Sequence, residues 1–288
     1  MAQISAQLVK QLREMTDSPM MECKRALVEA EGDIDKAVDV LRKMGMAKAV
    51  KKAGRETNEG TIATCISEDG KAAALLELYC ETDFVGTNPK FTAFAADLAK
   101  VVVDNDPADV DVLKALTVNG EPVEAALTEM VHVIGENMRI GRFVRVTSEG
   151  GFGSYVHLGG KLADVVSFSF TKPETAEADA FKTLAHDIAM QVVASNPVAA
   201  RREDVPAETV EHEKSIYKAQ AAESGKPEAI QEKMATGRLE KFYKENVLTE
   251  QEFVKDSSLT ISELCKKVSK ELGDTIEVVS FVRFAFGE

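Results

Sequence analysis

Residues 72–91 read AAALLELYCETDFVGTNPKF and hold a strand, a loop and the start of a helix in succession. Ala72 to Cys80 is a nearly continuous apolar run of strand length. Upstream, Thr61 to Ile66 is a second β-capable run. Ser67 to Gly70 between them is turn chemistry, so the two runs predict a hairpin. Downstream, Asn88-Pro89 predicts a helix start, with Phe91, Phe94, Leu98 and Val102 at helical spacing behind it. A hairpin feeding a helix sets the expectation of an α+β core with antiparallel sheets.

Toward the N-terminus, residues 4–47 read as three short helices, a bundle too small to be more than marginal alone. Leu8, Leu12 and Met15 share one face of the first. Asp17 or Ser18 can cap the second, with Pro19 early in it, and Gly32 ends it. Asp33 then caps a third helix striped by Ile34, Ala37, Val38 and Leu41. The basic stretch around Lys48 to Glu59 reads as a linker, and the dense run Lys43 to Arg55 as a solvated one.

Toward the C-terminus, helices are expected at 108–116 and 122–136. A second strand cluster spans 139–170, punctuated by glycines, and a helix covers 174–195. This order suggests two related halves by layout, without a repeat visible in the residues. Segments 208–223 and 228–243 are charged helices joined by Ser224-Gly225-Lys226-Pro227, which predicts a projecting antiparallel hairpin. Its sparse apolar positions are Val210, Ile216, Tyr217, Ile230, Met234, Leu239 and Phe242, a stripe expected to complete its burial on another chain. A helix at 259–272 and a strand at 275–286, returning to a core sheet, close the chain. The expected division is 1–54 for the helical module, 55–138 for the first core half, 139–205 with 244–288 for the second, and 206–243 for the hairpin.

The formal net charge of −13 disfavours general nucleic-acid binding, because such a surface repels phosphate backbones. Residues 1–16 contain no signal-peptide core and no stretch suits a membrane span, so a cytoplasmic location is expected. Cys23, Cys65, Cys80 and Cys265 form no paired motif, which fits a reducing compartment. No phosphate-binding loop or dinucleotide fingerprint is present, and His132, His157, His186 and His212 have no metal-ligand spacing. A Cys80–His nucleophilic pair is conceivable, yet a cysteine ending an apolar strand is usually a small core hydrophobe. No cofactor is expected, and the chain reads as a partner-binding protein rather than an enzyme.

The loop Glu81-Thr82-Asp83-Phe84-Val85-Gly86 is where function is sought, since strand-end loops often carry it. Phe84 has two readings from the residues alone. The reading the residues favour is that it folds back into its own core, the usual fate of an aromatic; the other is that it projects as an anchor for a partner's pocket while Asp83 bonds nearby amides.

Leu12 to Leu27 (LREMTDSPMMECKRAL) and Glu77 to Val85 (ELYCETDFV) closely resemble the two signatures of bacterial elongation factor Ts. Supporting stretches are 134–138, 154–157, 188–197 and 225–227, in that family's order. The resemblance implies a guanine-nucleotide exchange factor for elongation factor Tu, in its GDP-bound and nucleotide-free forms, with a ubiquitin-associated-like N-terminal module docking on the GTPase. Carried over, the expected contacts are Leu12, Met20, Met21 and Lys24 on the module, and Thr82, Asp83, Phe84 and Val85 in the loop. Ile134 and Gly135 on the core and His157 toward the partner's β-barrel portion complete the set. Phe84 is implied to wedge between two helices near the partner's magnesium. The 206–243 hairpin resembles the family's coiled-coil dimerisation motif, leaving a homodimer or a partner contact open. Gly86-Thr87 departs from the usual small-plus-basic pair, and a C-terminal helix that some members carry is not expected after FVRFAFGE. A passive adaptor displaying the helical module is the competing class.

Overall fold

Ser5, Asp33, Asn88, Asp109 and Thr260 each lend a side-chain oxygen to a backbone amide within the next turn, and each starts a helix. These local signals set most of the element order. The computed structural model describes residues 4–288, so residues 1–3 of the expected N-terminal module lie outside the described residues.

Helices α1 (Ala6–Thr16), α2 (Met20–Glu29) and α3 (Ile34–Lys52) form the N-terminal unit, whose core is Val9, Leu12, Cys23, Ala26, Leu27, Ala37 and Leu41. Two local expectations change here. Asp17 adopts a left-handed conformation and closes α1, and Pro19 occupies the start of α2 with no side-chain cap. Ser18 is buried instead, 3.4 Å from His132 Nε2. The third helix runs on to Lys52, because nothing before Gly54 breaks it, so the linker shrinks to the residues after it.

Strands β1 (Glu59–Ile66) and β2 (Ala72–Cys80) make the expected hairpin, followed by the short α4 (Asp83–Gly86) and the long α5 (Pro89–Asn105). Next come α6 (Val110–Ala115), a two-residue hairpin of β3 (Thr117–Val118) and β4 (Glu121–Pro122), and α7 (Val123–Ile134). Strand β5 (Met138–Thr147) returns to pair with β2, giving the sheet order β1-β2-β5. The boundary drawn at 138/139 therefore cuts through the first sheet. Adjacency in sequence to later strands suggested otherwise, but β5 finds its ladder across the chain.

The second half comprises β6 (Gly151–His157), β7 (Leu162–Ser169), a 3-10 turn over Pro173–Glu177, and α8 (Asp179–Ser195). The helix expected from 174 is thus broken at Ala178. The hairpin follows as α9 (Ala207–Ala222) and α10 (Glu228–Asn246), packed at its base through Phe242, Tyr243, Val247, Ala199 and Val205. An unforeseen hairpin of β8 (Glu252–Phe253) and β9 (Asp256–Thr260) precedes α11 (Ile261–Leu272). Leu259 and Thr260 are accordingly strand, and the Thr260–Glu263 capping box starts the helix after them. Strand β10 (Glu277–Ala285) joins the second sheet in the order β10-β7-β6.

The two halves repeat each other. Leu75 pairs with Val144 where Val165 pairs with Val282. Leu76 pairs with Phe143 where Val166 pairs with Phe281, and Leu78 with Ile140 where Phe168 pairs with Val278. A bulge lies at the same place in each. Helices α5 and α8 bury matching Phe91/Phe181, Leu98/Ile188 and Val102/Val192, and end in left-handed Asp106 and Asn196. The inner sheet faces meet through Ile62, Ala73, Leu75, Phe152, Ala163, Val165 and Phe284. Outer faces are covered by α5 and α7 on one side and by α8 and α11 on the other. The layers run helix, sheet, sheet, helix. Covering β2 on both faces explains its nearly continuous apolar run.

Candidate functional site

Phe84 stands 83% exposed in the turn after β2, a strand whose residues are almost all buried. Its neighbour Val85 does the opposite and packs into the first core. The turn between them is built by short-range bonds. Thr82 Oγ1 accepts from the Val85 amide at 3.4 Å and caps α4, and Asp83 Oδ1 accepts from the Phe84 amide at 2.9 Å. Gly86 lies against β1, where a Cβ would come 3.1 Å from the Gly60 carbonyl oxygen. This glycine is therefore packed tightly. Asp83 is exposed and Thr82 half-buried, so Asp83 and Phe84 are the two side chains of the loop that face outward.

The carboxylate of Glu136 takes hydrogen bonds from the amides of Glu81 at 3.1 Å and Thr82 at 3.0 Å, and from Thr82 Oγ1 at 2.6 Å. Glu81 answers by accepting from the Asn137 amide at 2.6 Å. This exchange places the end of α7, with exposed Gly135 and partly buried Ile134, beside the loop. In the sequence Glu136 stands out only as part of the stretch 134–138. Its signal was a carboxylate just before a strand, repeated by Asp274 in the second half, and that equivalence needs the sheet registers to be seen.

The N-terminal unit is held close by. Lys90, in the first turn of α5, pairs with Asp17 at 2.7 Å. Glu22 pairs with Lys48 and lies 3.6 Å from His132 Nε2, while Gly45 of α3 lets that ring approach closely. Burial lowers the His132 imidazole below its ordinary range, more than Glu22 raises it, so it stays neutral at the junction. Met20, Met21 and Lys24 are exposed on α2, and Met21 and Lys24 line a shallow hollow with Val28 and Met44. Leu12 is a different case. It is wholly buried in the three-helix core, so its side chain supports the surface and does not form it. The residue sits on the inward stripe of an amphipathic helix.

His157 is exposed at the end of β6, with Nδ1 3.1 Å from the Tyr155 hydroxyl. The turn after it reaches the first half, since the Ile62 amide donates to the Gly160 carbonyl at 2.8 Å and Gly159 lies beside Thr87. The carried-over positions other than Leu12 and Val85 thus reach the surface at least in part.

The thiol of Cys80 is buried and donates to the Thr82 carbonyl at 3.1 Å. Burial pushes it up to about 12, so it carries no thiolate at neutral pH. Among the described residues, no three or more His, Cys, Asp or Glu side chains converge to hold a metal, and no helix is long and apolar enough to cross a membrane.

The sequence profile of the family described as Elongation factor TS matches residues 81–288. Among curated proteins, Elongation factor Ts of Clostridium kluyveri is 45% identical over 99% of this chain and 93% of its own. Elongation factor Ts of Desulfovibrio desulfuricans is 44% identical over 98% of both, and that of Nitratidesulfovibrio vulgaris 44% over 99% and 96%. With identity at that level sustained along nearly its whole length, the chain belongs to the elongation factor Ts family.

Proposed function

We propose that the chain is a guanine-nucleotide exchange factor for elongation factor Tu, acting in the cytoplasm during translation elongation without bond-making chemistry of its own. Phe84 carries this reading, because an aromatic ring left 83% exposed on a rigid turn is an anchor in search of a pocket. Membership of the elongation factor Ts family supports the role in elongation. In this reading Asp83 and Phe84 enter the GTPase, and the ring parts two helices near its magnesium site. Met20, Met21 and Lys24 dock the N-terminal unit, while Ile134, Gly135 and His157 extend the footprint.

Exchange requires that the factor bind the empty GTPase far better than the loaded one, and linkage makes nucleotide weaken the factor by the same coupling. A coupling of about 10⁴-fold corresponds to about 5.5 kcal/mol. Burying a phenylalanine contributes roughly 1.5–3 kcal/mol. The ring is therefore too small to supply the coupling alone. The wider footprint grips the GTPase, and the ring distorts the metal site, loosening magnesium's hold on the phosphates.

The α9–α10 hairpin exposes Ile230 and most of its outer length, and it serves a second contact, to a sister chain or to the GTPase. Sedimentation with and without residues 206–243 separates those two. The main reading is tested by stopped-flow release of labelled GDP from elongation factor Tu. An exchange factor accelerates release, and an adaptor leaves the rate unchanged.

A further inference from the structure

Strand β2 makes its last ladder pairing at Cys80, opposite Met138. The amides of Glu81 and Thr82 then leave the sheet in a half-buried place, where an unmade hydrogen bond is expensive. Glu136 takes both of them on Oε2, and Thr82 Oγ1 on Oε1. Fixing the Thr82 rotamer in turn fixes the cap on α4, since the same hydroxyl accepts from the Val85 amide. Phe84 itself is too exposed for packing to orient it, so its direction is set by the backbone of this turn.

The second half contains the same device with another payload. Glu136 and Asp274 each precede by four residues the strand residue beyond the bulge, Ile140 and Val278. Asp274 accepts from the Thr171 amide at 3.0 Å, the Lys172 amide at 3.1 Å and the Thr175 hydroxyl at 2.5 Å. Burial works to raise its carboxyl, and the bonds from Thr171, Thr175 and the neighbouring amides outweigh it and hold the group well below the usual range. The loop it clamps, Pro173–Glu177, carries no aromatic residue. One clamp serves the fold in both halves, and only the first also aims a ring.

We propose that Glu136 is the positioning residue of the Phe84 loop, setting the pose in which the ring meets the GTPase. This rests on the reading of Phe84 given above. Glu136→Ala, Glu136→Gln and Asp274→Ala are compared in the full chain by three measurements: amide hydrogen exchange, affinity for elongation factor Tu, and stimulated release of labelled GDP. Glu136→Ala is expected to speed exchange at the Glu81 and Thr82 amides and to slow stimulated release by roughly tenfold, the scale of one charge-assisted hydrogen bond, with a smaller change in affinity. Glu136→Gln restores both, because one amide oxygen accepts the two backbone amides while the Thr82 hydroxyl turns to accept from the amide nitrogen. Asp274→Ala loosens its own loop and leaves release unchanged, which separates positioning from general destabilisation.

If Glu136→Ala fails to fold, Thr82→Val removes the hydroxyl's bonds to Glu136 and to the Val85 amide while leaving the two backbone amides on Glu136, and it is expected to slow release several-fold with native melting. Unaltered exchange at Glu81 and Thr82 in Glu136→Ala, or equal losses of release in the Glu136→Ala and Asp274→Ala proteins, overturns the proposal. Loosened amides with undiminished release, together with a silent Phe84→Ala, refute the role of the ring and leave the clamp standing.

Discussion

Replacing Phe84 by alanine removes a ring that is 83% exposed and touches little of its own subunit, so the fold has almost nothing to lose. Substitutions of that kind shift stability by within about 0.5 kcal/mol. The partner complex is another matter. Full burial of a phenylalanine side chain is worth roughly 1.5–3 kcal/mol, and nearly all of that area is still available to be buried. If the ring's contact is made fully only as the nucleotide site opens, the barrier to release rises by about 1–2.5 kcal/mol, roughly a 5- to 70-fold slower stimulated rate. Affinity for the GTPase, supported by the module and the rest of the core, falls by less. The assay is stopped-flow release of labelled GDP from elongation factor Tu over a range of factor concentrations, which resolves the maximal rate from the half-saturating concentration. A Phe84→Ala protein with native melting, whose maximal rate is unchanged while half-saturation shifts, would refute the wedge and leave Phe84 an ordinary contact. Equal loss in both quantities contradicts it too.

Gly45→Leu places a side chain where a Cβ alone would already lie 3.2 Å from the His132 ring, so α3 and α7 are forced apart. A loss of about 1–3 kcal/mol is expected, read as an earlier transition in thermal melting and faster proteolysis after Lys52. Asp164 is fully buried on β7 with neither oxygen in a well-formed hydrogen bond, and burial pushes its carboxyl up to about 8 against the weaker pulls of the Tyr155 backbone and of Arg283. A carboxyl raised in the folded state holds a proton that the unfolded chain releases near its ordinary value. Its contribution is therefore complete below about pH 4 and is lost as pH rises through about 8. Asp164→Asn removes that titration, so its melting temperature relative to the parent should climb from pH 5 to pH 9, and a constant difference would contradict the assignment. Cys80→Ser replaces a protonated thiol that only donates to the Thr82 carbonyl, and stimulated release should stay within about twofold of the parent. A large loss there would revive a thiol-based reading.

Residues 72–91 show why so much of the fold was legible. The turn at Ser67–Gly70, the run Ala72–Cys80 and the Asn88 cap act within a few residues of themselves, so hairpin and helix appear in the structure where the residues place them. The Gly32 and Gly225-Lys226-Pro227 signals work at the same range. The family resemblance was legible too, because its signatures are contiguous stretches.

What needed the folded chain is whatever depends on residues far apart in sequence. Strand β5 looks like part of the cluster that follows it, and only the ladder with β2 assigns it to the first sheet. Leu12 reads as a contact until the three-helix core closes over it. The residues alone favoured a Phe84 folded back into its own core, and only the folded chain turns the ring outward. Glu136, fifty-four residues away from Thr82, decides how that loop is held. The same holds for the kinship of the halves, which is written in strand registers, the Glu136 and Asp274 clamps and the buried faces of α5 and α8. Local hydrogen bonding and hydrophobic periodicity act along the chain and so are set by the sequence near at hand. Burial and long-range pairing act between segments, and they exist only once those segments have met.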